Sequence, residues 1–192
     1  QVQLKEHPGQ MIANYPVDEF MGTQSGINQN IAASFKTLQL VSKSFKSKTD
    51  SQKHYWASDS LIKKMFNNEP CVVVGHSLGS IVSYSILRDM PTLTACKFIT
   101  VGSPLGVNAV KKHLTTPIKM PESVKNGWFN AYDDRDVVAL NPLNQKHFNI
   151  TPSIKNKSDV KNQTSNRHGI EGYLNDKVVA KEIYEALKNK CI

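Results

Sequence analysis

Residues 75–79 read Gly-His-Ser-Leu-Gly, a spacing that can present a serine hydroxyl as a nucleophile. A serine at the apex of a tight strand-to-helix turn crowds the residues two positions away, and Gly75 and Gly79 are small enough for those positions. A helix that begins directly after the serine points free N–H groups at developing negative charge. We therefore predict Ser77 as the nucleophile and the N–H group of Leu78 as one oxyanion donor. The alternative is a glycine-rich strand-to-helix turn that has no catalytic role. A phosphate-binding loop is not favoured, because the Lys-Ser/Thr pair of such loops is absent.

Short apolar runs and helical periodicity predict the elements that must position this turn. A β-branched run at 71–74 predicts a buried strand directly before it, and 80–88 predicts a helix directly after it. Further along the chain we predict strands at 97–101 and 127–132, a short fourth strand at 148–150, a polar loop at 156–166 and a final helix at 178–188. Strands that alternate with helices favour an α/β fold with a parallel sheet, whose chemistry collects at the carboxyl ends of the strands.

The first 70 residues differ from the rest in pattern. Irregular structure is predicted over 1–28, an amphipathic helix over 28–45 and a second helix over 55–66. The amphipathic helix either packs on the sheet or forms a lid over the site, and the sequence leaves both readings open. We predict a single domain over 1–192, with 71–192 as its catalytic core.

The strand, the Gly-His-Ser-Leu-Gly turn and the helix resemble the α/β-hydrolase superfamily, and within it bacterial lipase-like and esterase-like serine hydrolases. The resemblance covers roughly residues 71–188. Three further segments carry it, a strand and turn at 100–104, an acid-bearing loop at 130–138 and a histidine loop at 166–174. It implies a three-layer α/β/α sandwich with a mostly parallel sheet, whose N-terminal strands are missing or incomplete because only 70 residues precede Cys71.

The superfamily's chain order of serine, acid and histidine selects the base from six histidines. His168 lies in a polar loop, next to a glycine and just before the final helix, where the superfamily places its base. His147 is the alternative. His76 adjoins the serine in sequence, so we do not expect its side chain to face the hydroxyl. The remaining histidines precede any credible acid loop: His7, His54 and His113.

The acid that would orient the base is expected in the loop after the third strand. Asp136 precedes the apolar residues 137–139, which can pack back under the loop. Asp133 is the main alternative, although an aspartate there commonly caps a turn through bonds to the backbone. Asp134 and Asp159 complete the set of candidates.

A second oxyanion donor is not found in the sequence. The superfamily commonly supplies it from a His-Gly loop after an early strand, and no such strand and loop precede residue 71. We expect either that residues are missing from this sequence or that the fold is a minimal version.

The charge, apolar runs and cysteines of the sequence bear on its binding partners and location. The net charge is +8, and only three of the 24 basic residues are arginines. The lysines are scattered without interleaved aromatic residues. This pattern favours a solvated surface with weak attraction to anionic surfaces over specific nucleic-acid binding. No apolar run is long enough for a transmembrane segment. Three widely spaced cysteines predict neither a disulfide framework nor a metal site, which favours a cytoplasmic location, although a leader could precede Gln1.

These observations predict hydrolysis of a carboxylic ester, lipid-like or small, through an acyl-enzyme on Ser77, with Asp136 and His168 completing the catalytic set and no cofactor or metal. An acyltransferase would use the same residues. A binding module that keeps the fold but is catalytically impaired is the alternative from a different class. Peptidase chemistry has no specific support.

Overall fold

Four parallel strands and four α-helices make up the part of the chain that the structure, a computed structural model, describes: residues 70–189 and 191. The elements in chain order are β1 (Cys71–His76), α1 (Leu78–Asp89), β2 (Ala95–Val101), a 3-10 turn (Pro104–Gly106), α2 (Asn108–Lys111), β3 (Trp128–Ala131), β4 (Lys155–Lys157), α3 (Ile170–Leu174) and α4 (Lys177–Lys188).

The sheet has the order β1-β2-β3-β4, and every neighbouring pair is parallel. His76 at the end of β1 is in register with Val101 of β2, which is in register with Ala131 of β3. Ala131 in turn pairs with Lys157 of β4. All four strands therefore end at one edge of the sheet, and the segments that follow them meet there.

Helices flank this sheet on both faces. Val73, Phe98 and Trp128 share one face and pack with the buried apolar side of α1. The alternate strand residues, among them Ile99, Val101 and Phe129, pack on the other face with Tyr173 and Val179, which lie on α3 and α4. Strands that are apolar on both faces are typical of parallel sheets covered by helices. The chain therefore belongs to the α/β class.

The structure confirms most of the predicted elements. The strands at 71–74, 97–101 and 127–132 correspond to β1, β2 and β3, and the helices at 80–88 and 178–188 to α1 and α4. On α4 the predicted apolar stripe is only partly buried, because Val179 has no exposed surface whereas Leu187 is 63% exposed. The helices predicted at 28–45 and 55–66, and with them the lid hypothesis, lie outside the described residues.

The prediction of a fourth strand at 148–150 was wrong. The fourth strand, β4, begins instead at Lys155 and includes the first two residues of the predicted polar loop at 156–166. Phe148 is buried by packing edge-on against the rings of Tyr84 and Trp128, so its apolar character reflects core packing and not strand pairing. β4 pairs with β3, and the side chain of Asn156 on β4 also bonds to both backbone groups of Leu143.

A chain of hydrogen-bonded polar side chains crosses the sheet from β2 to β4. The indole N–H of Trp128 donates to the Thr100 hydroxyl at 2.9 Å, and that hydroxyl donates to the Asn130 side chain at 2.8 Å. The Asn130 amide then donates to Asn156 at 2.9 Å. Buried polar groups that are fully paired specify one register, so these bonds fix β2, β3 and β4 relative to one another.

The sequence predicts no disulfide framework, and the structure has one bridge, between Cys96 on β2 and Cys191 beyond α4. The two cysteines are 95 residues apart, and nothing local in the sequence shows that the end of the last helix returns to the start of β2. Disulfides persist mainly in oxidising compartments. The predicted cytoplasmic location loses the support that it drew from the cysteines and stays a prediction.

Within the described residues, no helix combines the length and hydropathy needed to cross a bilayer.

The disulfide generates the first testable prediction. Replacing Cys191→Ser should lower the free energy of unfolding by about 2–5 kcal/mol, because the bridge closes a long loop and restricts the unfolded chain. Denaturant unfolding without reductant measures this. Cys71→Ser is the matched control, since Cys71 is a free, half-buried cysteine, and it should cost less. Equal stabilities of wild type and Cys191→Ser would contradict the bridge.

Candidate active site

The turn after β1 holds Ser77 in an unusual backbone conformation, with φ of 53° and ψ of −130°. Positive φ in a residue other than glycine is strained and is found most often at functional sites. The Ser77 N–H donates to the Val101 carbonyl at 3.2 Å, which ties the turn to the end of β2. A Cβ added to Gly75 would lie 2.7 Å from the Ser80 Cα, so this position requires glycine, as the sequence predicts.

Two buried serines, Ser80 and Ser103, support the turn through hydrogen bonds. Sequence reasoning does not single them out, although Ser103 lies in the segment at 100–104 that carries the family resemblance. The Ser80 hydroxyl donates to the Ser77 carbonyl at 2.6 Å. Because that hydroxyl has a single proton, the Ser103 hydroxyl must be the donor in the 2.7 Å contact between the two. Ser103 in turn accepts the Leu105 N–H at 3.3 Å at the start of the 3-10 turn. The turns after β1 and β2 are thereby joined.

Three of the predicted site residues form one hydrogen-bonded chain. The Ser77 Oγ lies 2.8 Å from His168 Nε2, and His168 Nδ1 lies 2.6 Å from Asp136 Oδ2. With Asp136 ionised, Nδ1 carries the proton and donates it to the carboxylate, which leaves Nε2 free to accept the Ser77 proton. Ser77 is 6% exposed, while His168 and Asp136 are buried. This arrangement can activate a hydroxyl as a nucleophile.

The Asp136 carboxylate is held by three donors. Its Oδ1 accepts the Val138 N–H at 2.9 Å, and its Oδ2 accepts His168 Nδ1–H together with the Tyr173 hydroxyl at 2.5 Å. A buried carboxylate is costly unless its oxygens are bonded. Sequence reasoning does not single out Tyr173, although it lies within the segment that carries the family resemblance.

Asp133, predicted as the second choice for the acid, has a different role in the structure. One carboxylate oxygen accepts the Arg135 N–H and the other accepts the Asn162 N–H, both at 2.9 Å. Burial alone raises the pKa of Asp133, but these N–H bonds and the charges of Arg135 and Arg167 outweigh burial and lower it overall. Asp133 therefore joins the acid loop, as an anion, to Asn162 in the segment before His168.

Asp134, Asp159 and His147 do not reach the site. The side chains of Asp134 and Asp159 are 78% and 81% exposed. His147 lies in the turn after Asn144, to which its N–H donates, and none of its described hydrogen bonds involves Ser77.

The histidine loop is organised by Asn162, which lies in the predicted polar loop, where no motif marks it. Its Nδ2 donates to the Gly169 carbonyl at 2.8 Å, and its Oδ1 accepts both the N–H and the hydroxyl of Thr164. The Thr164 hydroxyl accepts the Gly169 N–H at 2.9 Å. Backbone groups on one side of His168 are thus fixed by side chains, and Arg167 on the other side has a positive φ of 54°.

Gly102, directly after β2, leaves room for the side chains of Tyr173, Asp136 and His168. Its φ is +57°, and an added Cβ would lie 2.9 Å from the Tyr173 ring and 3.2 Å from both Asp136 Oδ2 and His168 Cε1. Any side chain here would push directly against the hydrogen-bonded chain. The conformation and the space both require glycine.

His76 contacts the same group of residues, although its side chain does not face the serine hydroxyl. Its Nε2 lies 2.7 Å from the His168 carbonyl oxygen, and the two imidazole rings are 4.8 Å apart. Burial and the nearby His168 lower the pKa of His76 to about 4, so the ring is neutral at pH 7 and Nε2 is the donor. Its Nδ1 is buried without a hydrogen-bond partner among the described residues.

Leu78, the predicted oxyanion donor, is the first residue of α1. N–H groups in the first turn of a helix have no acceptor within the helix, so that of Leu78 is available next to Ser77. A second donor for the same oxyanion is not identified within the described residues. In that part of the chain no three metal-binding side chains come together either.

Comparisons with known proteins do not assign a class. No protein-family model, no curated protein and no solved structure matches this chain. The contacts of Ser77, His168 and Asp136 are therefore the observations from which a function can be inferred.

The low pKa of His76 predicts a pH dependence of stability. The unfolded chain binds a proton at His76 near pH 6.5, whereas the folded chain binds it only near pH 4. The stability that neutral His76 contributes is therefore fully present above pH 6.5 and is lost as the pH falls towards 4. His76→Phe lacks this proton, so its free energy of unfolding should fall less than that of wild type between these pH values. Denaturant titrations at several pH values measure the difference, and parallel curves would contradict the prediction.

Proposed function

We propose that this protein is a serine hydrolase that cleaves a carboxylic ester through an acyl-enzyme intermediate. The observation that carries the proposal is the chain of two hydrogen bonds from Ser77 through His168 to Asp136, buried at the carboxyl ends of parallel strands. The chain order of serine, acid and base, the strained turn at Ser77 and the parallel sheet with flanking helices also support it. The fold that we propose is the three-layer α/β/α sandwich of the α/β-hydrolase superfamily.

The chemistry follows from the geometry. The Ser77 oxygen attacks the ester carbonyl carbon while its proton moves to His168 Nε2, and Asp136 stabilises the imidazolium through Nδ1–H. The carbonyl oxygen becomes an oxyanion beside the Leu78 N–H. As the C–O bond breaks, His168 returns the proton to the leaving alcohol. A water, deprotonated by His168, then attacks the acyl-enzyme. His168 gives that proton to the Ser77 oxygen as the carboxylic acid is released.

The proposed substrate is a lipid-like or small acyl ester. Val137 and Leu140, which follow Asp136 closely, are 42% and 44% exposed, so the loop that carries the acid presents apolar side chains to solvent. Such side chains suit an acyl chain better than a charged substrate. An acyltransferase would use the same three residues with an alcohol in place of water.

Labelling of the nucleophile tests the proposal. A fluorophosphonate probe should label wild-type protein at Ser77, because only an activated serine attacks phosphorus at an appreciable rate. Ser77→Ala should not be labelled. Ser83→Ala is the control, since Ser83 is a buried serine on α1 and should leave labelling unchanged. Absence of labelling in wild type would overturn the hydrolase proposal and favour a binding module.

The base is tested separately with esters of increasing acyl length. His168→Ala should lower kcat/KM by about a thousandfold or more, because the serine then lacks its general base. His147→Ala should retain the wild-type rate. The reverse pattern would contradict the assignment of His168. The acyl length that gives the highest kcat/KM would define the substrate class.

A further inference from the structure

The hydroxyl of Tyr173 occupies a position between the two buried aspartates of the site. It accepts the Asp133 N–H at 3.3 Å and donates to Asp136 Oδ2 at 2.5 Å. Tyr173 has no exposed surface. It therefore contacts the same carboxylate oxygen that binds His168 Nδ1.

The protonation state of Tyr173 makes it a donor. Burial is the largest cause that raises the pKa of the phenol, and the negative charge of Asp136 raises it further. The proton stays on the hydroxyl at every pH at which the protein would work. Asp136 Oδ2 thus always receives two hydrogen bonds, one from the imidazole and one from the phenol.

We propose that Tyr173 is a positioning residue of the site, which fixes the Asp136 carboxylate and limits how strongly it attracts the proton on His168. This inference rests on the proposed hydrolase function and adds a fourth residue to it. Without the phenol, only the Val138 N–H on Oδ1 and the His168 Nδ1–H on Oδ2 would hold the carboxylate, and it could rotate more freely about its side-chain bonds. The phenol prevents that rotation and takes up part of the negative charge.

The packing around the ring shows that its place is tightly defined. Gly102 brings the end of β2 against the Tyr173 ring, where an added Cβ would lie 2.9 Å from Cε2. On the neighbouring position of α3, Gly172 has no room for a Cβ because Asn162 Oδ1 would lie 2.0 Å away. Two glycines and the asparagine that organises the histidine loop therefore hold α3 close to the site.

The other titratable and charged groups near Asp136 and His168 come from three elements. His76 at the end of β1 is neutral, and its ring centre lies 6.1 Å from that of Tyr173. Asp133 in the acid loop is ionised and is paired with Arg135 and Arg167. Tyr173→Phe leaves all of these side chains in the protein, but it also removes the acceptor of the Asp133 N–H, so a control variant must lose a comparable backbone contact.

Tyr173→Phe tests the inference through the pH profile of ester hydrolysis. Without the phenol, Asp136 attracts the His168 proton more strongly, so the acid limb of kcat/KM should move to higher pH. The looser carboxylate should lower kcat about tenfold or more with KM unchanged, since Tyr173 does not contact the substrate. A purely structural role would lower stability but would leave the acid limb in place.

Tyr84→Phe is the matched control. Tyr84 is equally buried, and its hydroxyl also accepts one backbone N–H and donates one hydrogen bond, both with Lys119 and on the opposite face of the sheet. Tyr84→Phe should therefore be less stable than wild type, with no change in the acid limb of kcat/KM. An acid limb of Tyr173→Phe that coincides with those of wild type and Tyr84→Phe would overturn the inference.

A second variant covers the case in which Tyr173→Phe does not fold. Fluorotyrosine at position 173 keeps the shape and the hydroxyl but donates a stronger hydrogen bond, so the acid limb should move to lower pH. An unchanged limb would again overturn the inference. Failure of the proposed function gives a different result, because wild type would then neither react with a fluorophosphonate nor hydrolyse esters.

Discussion

The buried carboxylate of Asp136 is the constraint on which the site depends. It has no exposed surface, and an ion removed from water is tolerated only when donors surround it. Its donors come from three places, the N–H of Val138 in its own turn, the imidazole of His168 and the phenol of Tyr173 on α3. Satisfying one carboxylate therefore fixes the acid loop, the histidine loop and α3 relative to one another.

A second buried aspartate extends the same principle to the loops behind the site. Asp133 accepts the backbone N–H of Arg135 in its own loop and that of Asn162 in the segment before His168. Asn162 then bonds to three further backbone or hydroxyl groups around His168. Loops without regular structure need such side chains because their backbone groups have no ladder or helix to pair with. The backbone next to His168, which precedes α3 and has no regular structure, is thus held by side chains.

The sequence predicts elements and residues that local patterns or chain order define, but it does not predict contacts between residues far apart in the chain. A β-branched run, two glycines around a serine and the chain order of acid and base are local or ordinal patterns, and they predicted β1, α1 and the three residues that now lie in contact. The bond between Cys96 and Cys191 and the pairing of Asn130 with Asn156 depend on segments that meet only after folding. Tyr173 and Asn162 could not be chosen in advance, because nothing in a buried tyrosine or a loop asparagine reveals its partner.

The start of α1 lacks a stabilising side-chain cap, and this loss of stability is related to the proposed chemistry. Serine at the N-cap of a helix usually bonds to its free N–H groups, and losing such a cap costs about 0.5–2 kcal/mol. Ser77 is the N-cap of α1, yet no side chain of the described residues caps this helix, and its first turn has no acidic residue. The Ser77 hydroxyl is bonded to His168 instead. The N–H groups and the positive end of the helix dipole are thereby left available beside the serine, where an oxyanion would form.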